Sequence, residues 1–303
     1  MNMMNLFNKV WANTEKEDNA RLSKQSKPDG IKEINNIAYV DDGNKYHLLD
    51  LYYPENATSE LPVIIDIHGG GWMYGDKELN KIFCLNLAKR GFAVFNISYR
   101  LVPDVTVNEQ LYDCGLALKW ISENGNNYSV CDMNNIMLVG DSAGGQLAVY
   151  SALIMSSKSL RQIFHIDEYN MELTALTLIS PVAYMNKPVF GLYTKKMWGK
   201  NFRKNETYKY MNLDSILKMG KTPPTFLVTS SGDSIAQKQT HNAYNDIKMY
   251  NSDTVISDYK KFDGEDLPHV FSVVYPESKA GNSSIDEYTE FFRKHIRKKA
   301  VKK

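Results

Sequence analysis

The sequence predicts an α/β fold, a mostly parallel sheet with helices on both faces. Three observations carry this: short apolar runs recur along the chain, helical periods separate them, and a turn signal joins the first two runs. Ile31 to Val40 and His47 to Tyr53 flank Asp42-Gly43-Asn44, so they are expected to pair as a hairpin. Val63 to Ile67 is nearly continuous in apolar residues, the mark of a strand buried on both faces. Phe92 to Ser98, Ile136 to Val139, Leu173 to Ile179 and Phe226 to Thr229 repeat that pattern, and Thr254 to Phe262 reads as the last strand.

Helices fill the gaps. Leu111, Cys114, Leu118 and Ile121 fall on one helical face, and Gln146 to Met155 makes another helix. The final helix is expected to open with the capping-box spacing of Ser284 and Glu287, with Ile285, Tyr288, Phe292 and Ile296 on one side. Two segments break the alternation: the polar, weakly helical residues 1–30 and the aromatic, lysine-studded stretch 184–222. A long insertion in a compact domain is usually a lid or binding element. The expected organisation is one domain over residues 1–303, with segments 1–30 and 184–222 as a small cap.

Composition narrows the function classes. A net charge of +1 gives no electrostatic case for nucleic acid or a membrane surface. The basic cluster Arg293, Lys294, Arg297, Lys298, Lys299, Lys302 and Lys303 reads as a solvated helix end whose cations suit the helix dipole. Cys84, Cys114 and Cys131 are odd in number and lack metal-ligand spacing, so they read as small core hydrophobes in a reducing compartment. Polar residues break up the N-terminal stretch before a signal-peptide core forms, and no run is long enough to span a bilayer. A soluble, cytoplasmic protein is expected.

The chemistry concentrates in two glycine-rich motifs. Gly140-Asp141-Ser142-Ala143-Gly144-Gly145 holds the spacing G-x-S-x-G between an expected strand and an expected helix. In that context a serine occupies a strained turn that exposes its hydroxyl, and its neighbours must be small. Alone the pattern is short enough to arise by chance, or to be a glycine-rich turn. The second motif, His68-Gly69-Gly70-Gly71-Trp72, directly follows the strand Val63 to Ile67. Successive glycines let backbone N–H groups face an open cavity, as an oxyanion hole requires. A phosphate loop would want Lys-Ser/Thr after the glycines, and Trp72-Met73-Tyr74 stands there instead.

HGGGW, then Tyr99-Arg100-Leu101-Val102-Pro103, then GDSAGG resemble, in the same order, the hormone-sensitive-lipase branch of the α/β-hydrolases, a family of carboxylesterases and deacetylases. The resemblance covers roughly Asp50 to the C-terminus and implies the α/β-hydrolase fold. It implies that Gly70, Gly71 and Ala143 donate N–H groups to an oxyanion, and that His68 shapes the loop without acting as a base. The chain departs from the pattern after Asp233, where Ser-Ile-Ala replaces Pro-Leu.

In this fold the triad follows the order nucleophile, acid, histidine. Asp233 follows the strand Phe226 to Thr229, where the family places its acid, with Asp263 and Asp266 as alternatives close to the histidine. His269, in Pro-His-Val-Phe, matches the family's His-x-Phe; His165 precedes the acid, and His241 and His295 fall in expected helices. The implied activity is serine carboxylesterase, acting on short or aromatic acyl esters with no metal or organic cofactor. Trp72, Met73 and Tyr74 are expected to line one wall of the pocket. Two other readings stand beside it: an arylformamidase or deacetylase acting on an amide, and a ligand-binding protein that has lost catalysis. The expected partner is a small-molecule ester; oligomeric state is left open.

Overall fold

A computed structural model describes residues 3–185, 194–260, 262, 264–265 and 267–298. Eight strands form one sheet in the order β1-β2-β4-β3-β5-β6-β7-β8. They are β1 (Ile31–Ala38), β2 (Leu48–Pro54), β3 (Leu61–Ile67), β4 (Ala93–Ile97), β5 (Cys131–Asp141), β6 (Ala175–Ile179), β7 (Thr225–Ser230) and β8 (Thr254–Tyr259). β1 and β2 are the antiparallel hairpin, β2 pairs antiparallel with β4, and every pair from β4 through β3 to β8 is parallel.

Alternation within the central strands splits the core into two layers. Val63, Ile65 and Ile67 of β3 and Ile136 and Leu138 of β5 pack in one layer, with the helices Val107–Asn124, Ser142–Met155 and Gln237–Tyr250. Ile64, Met137 and Val139 pack in the other, with Lys81–Lys89 and Lys279–His295. Both faces are thereby covered, and the strands read as apolar runs for that reason. The three cysteines are buried and free. Among the described residues no helix is long and apolar enough to cross a membrane.

Three expectations change. The last helix opens at Lys279, ahead of Ser284, with Ser278 as its cap. Ser278 accepts the Gly281 N–H at 3.0 Å, and the Glu265 carboxylate takes the N–H groups of Lys279 and Ala280 at 2.8 and 2.7 Å. Ser284 is buried inside the helix, and Ile296 lies past its end. The last strand stops at Tyr259, short of Phe262. The first segment, weakly helical by sequence, carries a long helix, α1 (Met3–Leu22). Its end is tied down by Arg21 and Gln25, which donate to the Val274 carbonyl at 3.3 and 2.8 Å.

In the stretch 184–222, Met185, Met197 and Trp198 are buried in the first core layer, and Tyr184 bridges to Asn212. Phe190 and Tyr193 fall outside the described residues, as do Lys299, Lys302 and Lys303 of the basic cluster. Arg293 and Lys294 occupy the last turn of the final helix.

Candidate active site

Strand β5 runs out at Asp141, and the helix Ser142–Met155 begins at the next residue. Ser142 takes the whole turn between them, at φ 51°, a conformation an L-residue adopts only under constraint. The helix packs so closely that a Cβ on Gly144 would stand 2.0 Å from the Ile67 carbonyl oxygen. The serine hydroxyl is thus presented at the carboxyl end of the sheet, at a helix N-terminus whose first N–H groups have no intrahelical partner.

His269 Nε2 stands 2.8 Å from Ser142 Oγ, and its Nδ1 stands 2.9 Å from Asp233 Oδ1. The Asp233 side chain is fully buried. That burial pushes its carboxyl up, but the hydrogen bond and charge of His269 and the Ala236 N–H outweigh it, holding it below the ordinary range. Ile235 and Ala236 donate their N–H groups to the same Oδ1 at 3.0 and 2.8 Å. The three residues that chain order singled out therefore form one connected relay. The remaining downstream histidines are elsewhere: His165 ends a helix, His241 pairs with Asp258 and His295 with Asp253. Asp263 and Asp266 lie outside the described residues.

The triple-glycine loop passes beside the helix start. Gly70 adopts φ 103°, and any Cβ there would meet the Tyr74 carbonyl oxygen at 2.1 Å. Its own carbonyl accepts the N–H groups of Met73 and Tyr74 at 3.1 and 3.0 Å. Among the described residues no partner takes the N–H of Gly70 or Gly71. His68 is buried beneath the loop, stacked on Tyr99 with centroids 4.3 Å apart. Its Nδ1 donates to the Gly69 carbonyl at 2.8 Å, and burial pushes the imidazolium down to about 4. It is a neutral packing group that shapes the loop.

Trp72 corrects an expectation. It does not line a pocket wall: it is 4% exposed, and its Nε1–H donates to Gln146 Oε1 at 3.1 Å. Its carbonyl accepts from Val102 N and Gln110 Nε2, which fixes the end of the loop to the segment that follows β4. Met73 and Tyr74 do line a cleft beside the loop.

Residues that the sequence did not single out hold the two motifs together. Asp141 Oδ1 accepts the Gly69 N–H at 2.9 Å, and Asn80 Nδ2 donates to Asp141 Oδ1 and Asp66 Oδ2 at 2.8 and 3.0 Å. All three side chains are buried. The position of Asp141 inside GDSAGG was the only available sign.

The comparisons with known proteins agree with this fold. The family model described as BD-FAE matches residues 49–245, well over half of the chain. Esterase B from Lactobacillus rhamnosis superposes with a TM-score of 0.90 at 30% identity, over 97% of this chain and 96% of that one. A protein named as an α/β hydrolase from Acanthamoeba polyphaga mimivirus is 27% identical over 189 residues, 59% of this chain and 54% of its own length. The versiconal hemiacetal acetate esterase of Dothistroma septosporum is 33% identical over 137 residues, 44% of this chain and 40% of its own length. The chain thus spans about half or less of the length of these curated relatives. With the fold, the elbow and a structural match over nearly its whole length, the chain belongs to the BD-FAE family and has the α/β-hydrolase fold.

Proposed function

We propose that this chain is a serine carboxylesterase that cleaves short-chain or aromatic acyl esters through an acyl-serine intermediate. The observation that carries this is the relay from Ser142 Oγ to His269 Nε2 at 2.8 Å, continued from His269 Nδ1 to Asp233 at 2.9 Å. A serine hydroxyl attacks a carbonyl only if a base takes its proton as it does so. His269 takes that proton, and Ser142 Oγ bonds to the carbonyl carbon. The carbonyl oxygen gains charge, which the N–H groups of Gly70, Gly71 and Ala143 receive. His269 then protonates the leaving alcohol as the carbon–oxygen bond breaks. Water repeats the steps on the acyl-serine and frees the acid. Asp233 holds the imidazole tautomer and stabilises its charged form throughout.

The short-chain preference draws support from esterase B of Lactobacillus rhamnosis, whose structure was solved inhibited by a C4-C4 tributyrin phosphonate. Helix α1 and the stretch 184–222 act as the cap: Trp11 of α1 and Lys196 share one cleft with Met73 and Tyr74 of the donor loop. The test is turnover of acetyl, butyryl, octanoyl and feruloyl esters beside formyl and acetyl amides, with Ser142→Ala as control. Esters of short or aromatic acids should lead. Faster amide cleavage, or unchanged rates in Ser142→Ala, overturns the proposal.

A further inference from the structure

Helix α1 packs against the triple-glycine loop. The outer edge of the Trp11 ring fills the space that a side chain at Gly71 would need: a Cβ there would sit 2.5 Å from Cη2 and 2.8 Å from Cζ2. The same ring stacks on Tyr74, with centroids 5.9 Å apart and planes at 19°. Tyr74 closes the turn of the loop, its N–H donating to the Gly70 carbonyl at 3.0 Å. One side chain of α1 therefore touches the turn at two points.

The helix that carries the indole is itself anchored. Two turns on, Asp18 hydrogen-bonds the Tyr74 hydroxyl and accepts from Arg21 Nη2 at 2.8 Å. Arg21 and Gln25 then reach the Val274 carbonyl at 3.3 and 2.8 Å, at the end of the short helix Phe271–Val274 that follows His269. Trp11 is held between the glycine loop and the His269 side of the site, not carried on a loose terminus.

A run of glycines opens a backbone to a cavity but has no side chains with which to pack itself in place. Backbone donors stabilise a developing oxyanion only if they are aimed before the reaction begins. The loop is tied at Gly69 by Asp141, and at the Trp72 carbonyl by Val102 and Gln110. Gly70 and Gly71 lie between these ties at φ 103° and 58°. There the packing comes from α1.

We infer that Trp11 is a positioning residue for the reaction, its ring holding the Gly70–Gly71 turn so that the backbone N–H groups stay aimed at the carbonyl oxygen. This rests on the esterase proposal above and on its oxyanion donors. Trp11 touches no reacting atom and acts through Gly71.

The experiment compares p-nitrophenyl butyrate with its thiono analogue, in which sulfur replaces the carbonyl oxygen, in wild type, Trp11→Phe and Trp11→Ala. Sulfur is a weak hydrogen-bond acceptor, so attack on the thiono ester draws little from the N–H donors. A role in folding alone lowers both rates alike and leaves their ratio unmoved, because the ratio does not depend on how much enzyme is folded. Trp11→Ala should lower the ester-to-thionoester ratio of kcat/KM about tenfold, less than the hundredfold or more that losing a donor outright would cost. Trp11→Phe, whose ring is shorter at the edge that meets Gly71, should lower it about threefold. A ratio within about 1.5-fold of wild type in Trp11→Ala overturns the inference; should that variant not fold, the same result in Trp11→Phe overturns it. Failure of the esterase proposal looks different: wild type would cleave neither ester and take no fluorophosphonate label on Ser142. That result sinks both.

Discussion

Asp141 accepts the Gly69 N–H at 2.9 Å, so the residue before Ser142 grips the triple-glycine loop proposed to supply the oxyanion donors. Asn80 steadies the same oxygen at 2.8 Å. Burial raises the Asp141 carboxyl, while the Asn80, His269 and Gly69 partners work against that shift. Removing the acceptor leaves two buried donors unpaired, at about 1–3 kcal/mol each. Asp141→Ala should therefore lower kcat about a hundredfold with little change in KM, since the loop serves the transition state. Asp141→Asn keeps the acceptor oxygen and should retain most of the rate. Steady-state kinetics on p-nitrophenyl acetate separates the two; equal losses in both variants would refute the positioning role.

Asp233 fixes which imidazole nitrogen carries the proton. With two backbone N–H groups and His269 on a single oxygen, its carboxylate has no ready substitute. Asp233→Asn leaves the shape but presents the wrong tautomer to Ser142, and kcat should fall about ten-thousandfold. Ser142→Ala should lose about a millionfold, with folding intact by circular dichroism. A near-full rate in Asp233→Asn would remove it from the relay.

Much of this was legible before the fold was known. The strands were readable because a sheet covered on both faces demands apolar runs, and β3 and β5 have them at Val63 to Ile67 and Ile136 to Val139. Ser142 and His269 followed from local sequence and chain order. What was missed depends on contacts distant in sequence. Glu265 caps the last helix from a loop before it, so the local spacing of Ser284 and Glu287 pointed to the wrong start. Trp72 looked like a pocket wall beside the glycines, but a positive φ of 65° and a bond to Gln146 turn it inward. Asn80 and Trp11 carry no motif; only the fold brings them to the loop.

His68 gives a pH signature. Burial pushes its imidazolium down to about 4 in the folded protein, against an ordinary 6.5. The folded state thus disfavours the proton that the unfolded chain accepts. Its contribution is fully present above about pH 6.5 and is lost as pH falls toward about 4, a change of about 3 kcal/mol. Urea melts at pH 7 and pH 4 should show this loss in wild type. In His68→Gln, which cannot titrate, the difference between the two pH values should shrink by about that amount, even though the variant is less stable at pH 7. An undiminished difference would mean that other groups dominate the acid response.

Gly144 tests how tightly the elbow is built. A Cβ there would stand 2.0 Å from the Ile67 oxygen and 2.3 Å from the His68 oxygen, both backbone atoms that no rotamer change can clear. The start of the helix would have to lift off β3, carrying Ser142 away from His269. Gly144→Ala should therefore destabilise the protein by about 3 kcal/mol or more, and the folded fraction should retain under about a hundredth of wild-type kcat/KM, as misplacement of about an ångström predicts. Gly91→Ala is the informative contrast. Gly91 has nothing within 4 Å of a Cβ but sits at φ 86°, so it bears only backbone strain, at about 1–2 kcal/mol. Its variant should melt earlier yet turn over esters at the wild-type rate. Loss of activity in both variants would mean that stability, not the approach of helix to strand, limits the site.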